Sequence, residues 1–130
     1  MKDREDSLRE LLIERVPALR NKVFINHMPA EVVDGVLFKE GYSGATIDPE
    51  IKGWRKARFQ IAVRDKQSNQ KAAKARAWEI INALDIPGEL RIPDGILIKH
   101  MRPLTEPIAY PISDGVNIEF SLNFQIIYVD

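Results

Sequence analysis

Val116-Asn117-Ile118-Glu119-Phe120-Ser121-Leu122-Asn123-Phe124-Gln125-Ile126-Ile127-Tyr128 alternates apolar and polar side chains almost without a break. Val116, Ile118, Phe120, Leu122, Phe124, Ile126 and Tyr128 share one side, and Asn117, Glu119, Ser121, Asn123 and Gln125 share the other, the period of a β-strand with one buried and one solvated face. At roughly 3.3 Å per residue, thirteen residues extend about 43 Å, against ~17–20 Å for a usual strand. That excess predicts that the outer part of the strand pairs outside its own core, against a neighbouring subunit. A strongly curved strand within one domain is the alternative.

Working back from this strand, Asp114-Gly115 reads as the turn that launches it. Prolines 93, 103, 107 and 111 punctuate the preceding region, so the segment from Arg102 to Pro111 is extended but poorly suited to a central strand. Pro93-Asp94-Gly95 is a turn, and Ile96-Leu97-Ile98 opens a strand running towards Met101. Between Gln67 and Leu84, Ala73, Ala77, Ile80, Ile81 and Leu84 form one face of a helix that Pro87-Gly88 ends. Upstream, Phe59, Ile61 and Val63 alternate with Arg58, Gln60, Ala62 and Arg64 as a half-buried strand.

Gly41 to Gly53 holds three glycines and Pro49 without periodicity and predicts a long exposed loop. Asp34-Gly35 suits a tight turn from Val32-Val33 into a strand at Val36-Leu37-Phe38, and Val23-Phe24-Ile25 is a further strand, followed by a loop at Asn26-His27-Met28-Pro29. From Asp6 to Leu19, the residues Leu8, Leu11, Leu12, Val16 and Leu19 make an amphipathic helical stripe. Ser7 followed by Glu10 has capping-box spacing, and Pro17 closes the helix near Val16. Helix, strands, helix, strands lacks the βαβ alternation of a doubly wound fold. The expected class is α+β, a single mainly antiparallel sheet with two helices packed against it, forming one domain over residues 1–130.

The 130 residues are 45% hydrophobic and 29% charged, an ordinary globular composition. Without cysteine, disulfides, thiolate metal sites and cysteine nucleophiles are excluded. Met1 to Ser7 is highly charged and carries no apolar signal core, and no apolar run approaches the ~20 residues that span a bilayer, so folding in the cytoplasm and no membrane partner are expected. The formal net charge of zero hides an asymmetry. Residues 1–51 carry seven basic and ten acidic groups, residues 77–130 three and eight, and residues 52–76 nine basic groups against Asp65 alone.

His27 and His100 are the only histidines, and no metal-ligand spacing surrounds them. Gly41-Tyr42-Ser43-Gly44 lacks the ending of a phosphate-binding loop. Asp48, Glu50, Asp94 and Asp114 offer carboxylates, yet Asp94 and Asp114 each precede a glycine, where turn formation accounts for them. No catalytic, metal or cofactor residue is expected, and the protein is not expected to be an enzyme. Gly53-Trp54-Arg55-Lys56 with Arg58 and Arg64 is the sharpest surface signal. It has three readings: a solvated strand face, a contact between subunits in which basic and acidic segments meet head to tail, or a nucleic-acid surface with Trp54 stacking on bases. Trp54, Arg55, Lys56, Arg58, Arg64, Asp48 and Glu50 are the candidate subunit or partner interface.

Leu11-Leu12-Ile13-Glu14-Arg15-Val16-Pro17, Val23 to Pro29, Ile47-Asp48-Pro49-Glu50 with Gly53 to Lys56, Met101-Arg102-Pro103, and Ser113 to Ser121 together give the chain a familiar pattern. It resembles the tail terminator proteins of long-tailed bacteriophages, also labelled minor capsid or tail completion proteins, of which that of phage lambda is the best known. The resemblance implies helices packed on one sheet, a homo-oligomeric ring of six subunits, and no catalytic residue or cofactor. It further implies that the ring caps the tail tube, stops polymerisation of the tube protein and presents the surface to which the head completion or connector protein attaches, with DNA passing through. The implied location is the head-proximal end of the virion tail. A head-to-tail connector, and after it a nucleic-acid-binding domain, are the alternatives.

Overall fold

The computed structural model describes residues 2–40, 45–111 and 116–130. In chain order these form helix α1 (Arg4–Arg15), a 3-10 turn at Pro17–Leu19, strands β1 (Val23–Ile25), β2 (Gly35–Glu40), β3 (Thr46–Ile47) and β4 (Trp54–Lys66), a second 3-10 turn, helix α2 (Gln70–Leu84), and strands β5 (Leu90–Arg91), β6 (Leu97–Pro103), β7 (Ile108–Pro111) and β8 (Asn117–Val129). The class is α+β as expected, built on one eight-stranded sheet of order β1-β2-β4-β8-β6-β5, with β3 added to β4 and β7 to β8.

The alternating stretch is β8, but its length is used inside the chain. All thirteen of its residues pair antiparallel with β4, from Asn117 opposite Lys66 to Val129 opposite Trp54. On its other edge, β7 pairs with Ile118 to Ser121 and β6 with Phe124 to Val129, while the Leu104 amide bonds the Asn123 carbonyl 2.8 Å away. The expectation of an outer part left for a neighbouring subunit is therefore overturned, and the alternative of a long strand within the domain holds. The physical reason is that β4 is equally long, although only Arg58 to Arg64 of it alternates cleanly in sequence; two long strands support each other and twist together. The strand after Arg102 is indeed marginal: β7 is short and lies on an edge.

The sheet is mixed, not wholly antiparallel, because β1 runs parallel to β2. Asp34-Gly35 does not turn a hairpin. Val32-Val33 is not a strand, and residues 26–34 instead cross one sheet face, where Met28 packs with Leu37 and Ala62 in a small second cluster. A parallel pair needs such a crossover. The long loop also differs from expectation, since Thr46-Ile47 folds back onto Lys56 and Arg55 as β3. The expected turn at Asp114-Gly115 and the loop at Gly41 to Gly44 lie outside the described residues.

Both helices lie on the face of the sheet opposite to that crossover. Leu8, Leu11, Leu12, Val16 and Leu19 of the first segment, and Ala73, Ala77, Ile80, Ile81 and Leu84 of α2, are all buried in one cluster with Phe59, Ile61, Phe120, Leu122, Phe124 and Ile126. Both predicted stripes thus face the sheet. The small alanines let α2 approach closely. Arg15 at the end of α1 donates to the Ala83 carbonyl at 2.9 Å, placing a cation on the carbonyl end of α2.

Ser7 is not the cap. Asp3 caps α1, its Oδ1 accepting from the Asp6 amide at 2.9 Å, while Ser7 is fully buried and donates to the Asp3 carbonyl at 2.7 Å. Asp3 leads an equally good capping sequence one turn earlier, and Ser7 is taken up by a tertiary contact: its Oγ accepts from the Ile96 amide at 3.4 Å. That contact fixes Gly95, because a β-carbon there would overlap Ser7 Oγ and crowd Ile92. The predicted turn at Asp94 is present, with Asp94 at φ 54° and the Gly95 amide bonded to the Ile92 carbonyl.

Candidate assembly surface

Strand alternation sends alternate residues of β4 and β8 away from the helices. In register across the sheet, Lys39 lies beside Gln60 and Asn123, Arg58 beside Gln125 and Arg102, and Lys56 beside Ile127 and His100. Gln60 Nε2 donates to Asn123 Oδ1 at 3.0 Å in the polar middle of this face. Lys39, Lys56 and Arg58 are exposed and make no ion pair with a described residue. No carboxylate lies in these three rows. Beyond the crossover loop, the open sheet face is therefore neutral at its centre, with Lys39, Lys56 and Arg58 around it, while Arg102 pairs with Asp85 at 2.5 Å.

The predicted interface residues do not form one patch. Lys56 and Arg58 lie on the open face as described. Trp54 is half-buried, and Lys99 Nζ sits 5.2 Å from its ring centroid while pairing with Glu89, so one ring face is already covered. Arg55 points to the other side of the strand and pairs with Asp130 at 3.2 Å. Arg64 is a clamp: Nε donates to Glu119 Oε2 at 2.9 Å, and the guanidinium reaches the Pro29 and Val32 carbonyls at 3.1 and 3.2 Å, tying the crossover loop to β4 and β8. Two of the opposite charges that the sequence set in different segments are thus matched within the chain, Arg64 with Glu119 and Arg55 with Asp130. Lys71 and Lys74, from the same basic segment, are carried on α2, across the sheet from Lys56.

Asp48 and Glu50 share the turn between β3 and β4. Asp48 Oδ1 accepts from the Glu50 amide at 2.8 Å and the Ile51 amide at 2.7 Å, and the Ile51 bond, then the Glu50 bond, hold this carboxyl below its usual range. Because the folded value is the lower one, the stabilisation is present above the unfolded value of ~3.9 and is lost as pH falls through the folded value. The protection of the Glu50 and Ile51 amides, relative to their intrinsic exchange at each pH, should therefore hold at neutral pH and fall only below about pH 4. Asp48→Ala should remove that protection at every pH, and an Asp48→Ala trace matching wild type would show that Gly53, at φ 85°, sets the turn by itself.

Beside this turn lies a cavity of about 250 Å³ whose lining includes Ile47, Pro49, Trp54, Lys56 and Ile127. Ile47 is 65% exposed. At the far end of β8, Leu104, Ile108, Tyr110 and Val116 also leave apolar surface uncovered. Lys39 and Arg102 do not stand out in the sequence, because their place on this face depends on pairing between distant strands, whereas His100 lies on a strand face as expected. Trp78 does not stand out either, exposed on α2 one position away from the buried stripe at Ala77.

A helix-backed sheet presenting an open polar and basic face defines a protein that works by surface contact. Residues 1–130, the whole chain, match the bacteriophage tail terminator protein family, and the chain belongs to it. It is accordingly a structural protein of the phage tail, in a family that is not an enzyme class. No curated protein matches the chain at a significant level. Among solved structures, a chain from the virion of the native gene transfer agent (GTA) particle shares the fold at a TM-score of 0.62 and 18% identity, covering 97% of this chain and 91% of that one. A further solved chain overlaps at a TM-score of 0.46 and 13% identity over 94% of each chain, too loose a match to define a shared topology.

Proposed function

We propose that the protein acts as a ring of identical subunits that caps the completed tail tube, ends polymerisation of the tube protein and leaves a surface for the head completion protein. The family match over the whole chain carries this reading. The open face supports it, because Lys39, Lys56 and Arg58, which make no ion pair with a described residue, are suited to an acidic protein surface. A chain with 19 basic against 19 acidic groups disfavours the alternative of a nucleic-acid surface, whose affinity comes largely from neutralising phosphates. DNA is then expected only to pass through the ring.

The test is to add purified protein to polymerising tube protein. Tubes should stop lengthening at substoichiometric amounts, about one ring per tube, and the capped tubes should join filled heads. Tubes that keep growing while heads still join would point to the connector instead, and neither effect would defeat the reading.

A further inference from the structure

Two short strands mark opposite corners of the sheet. β3 lies on the edge of β4 that faces away from β8, level with Ile127 and Tyr128, and β7 lies on the edge of β8 that faces away from β4, level with Ile118 to Ser121. The corners are therefore about seven residues apart along the strands, roughly 23 Å, and on opposite lateral sides. Neither strand has a described strand on its outer edge. Open edges of this kind are sites of strand addition unless something covers them.

The two corners also differ in shape and charge. The β3 corner is concave: Ile47, Pro49, Trp54 and Ile127 give its cavity an apolar surface, Asp48 and Arg55 also line it, and Lys56, which makes no ion pair with a described residue, stands there too. At the β7 corner Ile108 is 39% and Tyr110 54% exposed, Tyr110 lying beside Lys39 and Gln60 on the open face, and Glu106, just before the strand, makes no ion pair with a described residue. Each corner thus leaves apolar side chains uncovered, and Lys56 at one is opposite in charge to Glu106 at the other.

We propose that the β7 corner of one subunit seats Ile108 and Tyr110 against the β3 corner of a second copy, with Glu106 meeting Lys56. This rests on the ring reading above and names its contact. Unlike patches on opposite sides of one molecule make a heterologous contact, and such contacts produce a closed ring when the rotation per subunit closes, whereas a self-complementary patch would stop at a dimer.

The native chain has no cysteine, so single cysteines report the contact cleanly. Ile47→Cys and Tyr110→Cys chains, both altered at exposed positions, are mixed in equal amounts and oxidised with oxidised glutathione. The mixture should yield covalent dimers at least tenfold above either variant alone, and the doubly substituted chain should yield a ladder ending at the ring. Independently, Lys56→Glu or Glu106→Lys alone should weaken ring formation at least tenfold in sedimentation at low salt, whereas an equal mixture of the two variants should restore an alternating ring, because every contact then pairs a lysine with a glutamate, and the Lys56→Glu/Glu106→Lys double variant should restore a ring by itself. The mixed cross-link or the double-variant rescue supports the pairing. A wild-type ring with neither overturns the pairing and leaves the ring reading standing. A wild-type chain that stays monomeric when concentrated, both alone and on tail tubes, overturns both.

Discussion

Replacing Phe124 by alanine is expected to lower the unfolding free energy by about 3–5 kcal/mol. Phe124 is completely buried in the middle of β8, with Phe59 of β4 directly opposite it and the two rings stacked at 5.2 Å and 10°. Phe59 in turn stacks on Phe38 of β2 at 6.2 Å, so one aromatic row crosses three strands beneath the helices. Alanine removes the end of that row, and the close packing of α2 leaves little freedom for neighbours to collapse into the space. A domain of this size is stable by only about 5–15 kcal/mol, so the variant should be near the limit of folding. Urea unfolding followed by far-UV circular dichroism measures the change. Phe124→Leu should lose only about 1–2 kcal/mol, because most of the volume remains. A Phe124→Ala loss below about 1 kcal/mol would show that the centre of the long strand is not the centre of the core.

Arg64→Ala is expected to cost about 2–3 kcal/mol, by a different route. Its guanidinium serves one carboxylate and two carbonyls, and its side chain is only 14% exposed, that of Glu119 only 20%. Truncation leaves a poorly solvated carboxylate and the Val32 carbonyl without their donor, and the Pro29 carbonyl with only the Val32 amide. The residual exposure keeps the loss below that of a fully buried pair. Its signature is local: amide exchange should accelerate across residues 26–34, beginning with the Val32 amide that now bonds the Pro29 carbonyl, while the centre of β8 stays protected. Arg64→Lys should recover only part of the loss, since an ammonium cannot reproduce the planar fork. Unchanged exchange at Val32 would mean that Met28, packed on Leu37 and Ala62, holds the crossover without the clamp.

These two sites mark how far sequence reading reached. Phe124 was legible, because strand period alone assigns it to the buried face. The helical stripes were legible for the same reason. Arg64 was visible as a cation on a strand but not as a clamp, since its partners Pro29, Val32 and Glu119 come from two other segments. The basic segment from Lys52 to Arg76 read as one patch, and the fold divides it between the open sheet face and α2.

Local periodicity is a property of consecutive residues, and so the sequence by itself determined the two helices, the buried faces of β4 and β8, the turn at Asp94 and the α+β class. Strand partners are a property of residues far apart in the chain. Only the tertiary structure decided that β8 lies in the middle of the sheet and that β1 runs parallel to β2. It alone joined Lys39, Lys56, Arg58 and Arg102 on one face. The long strand meets its full-length partner within the chain because β4 supplies an equally long edge, and the free edges fall to the short strands β3 and β7.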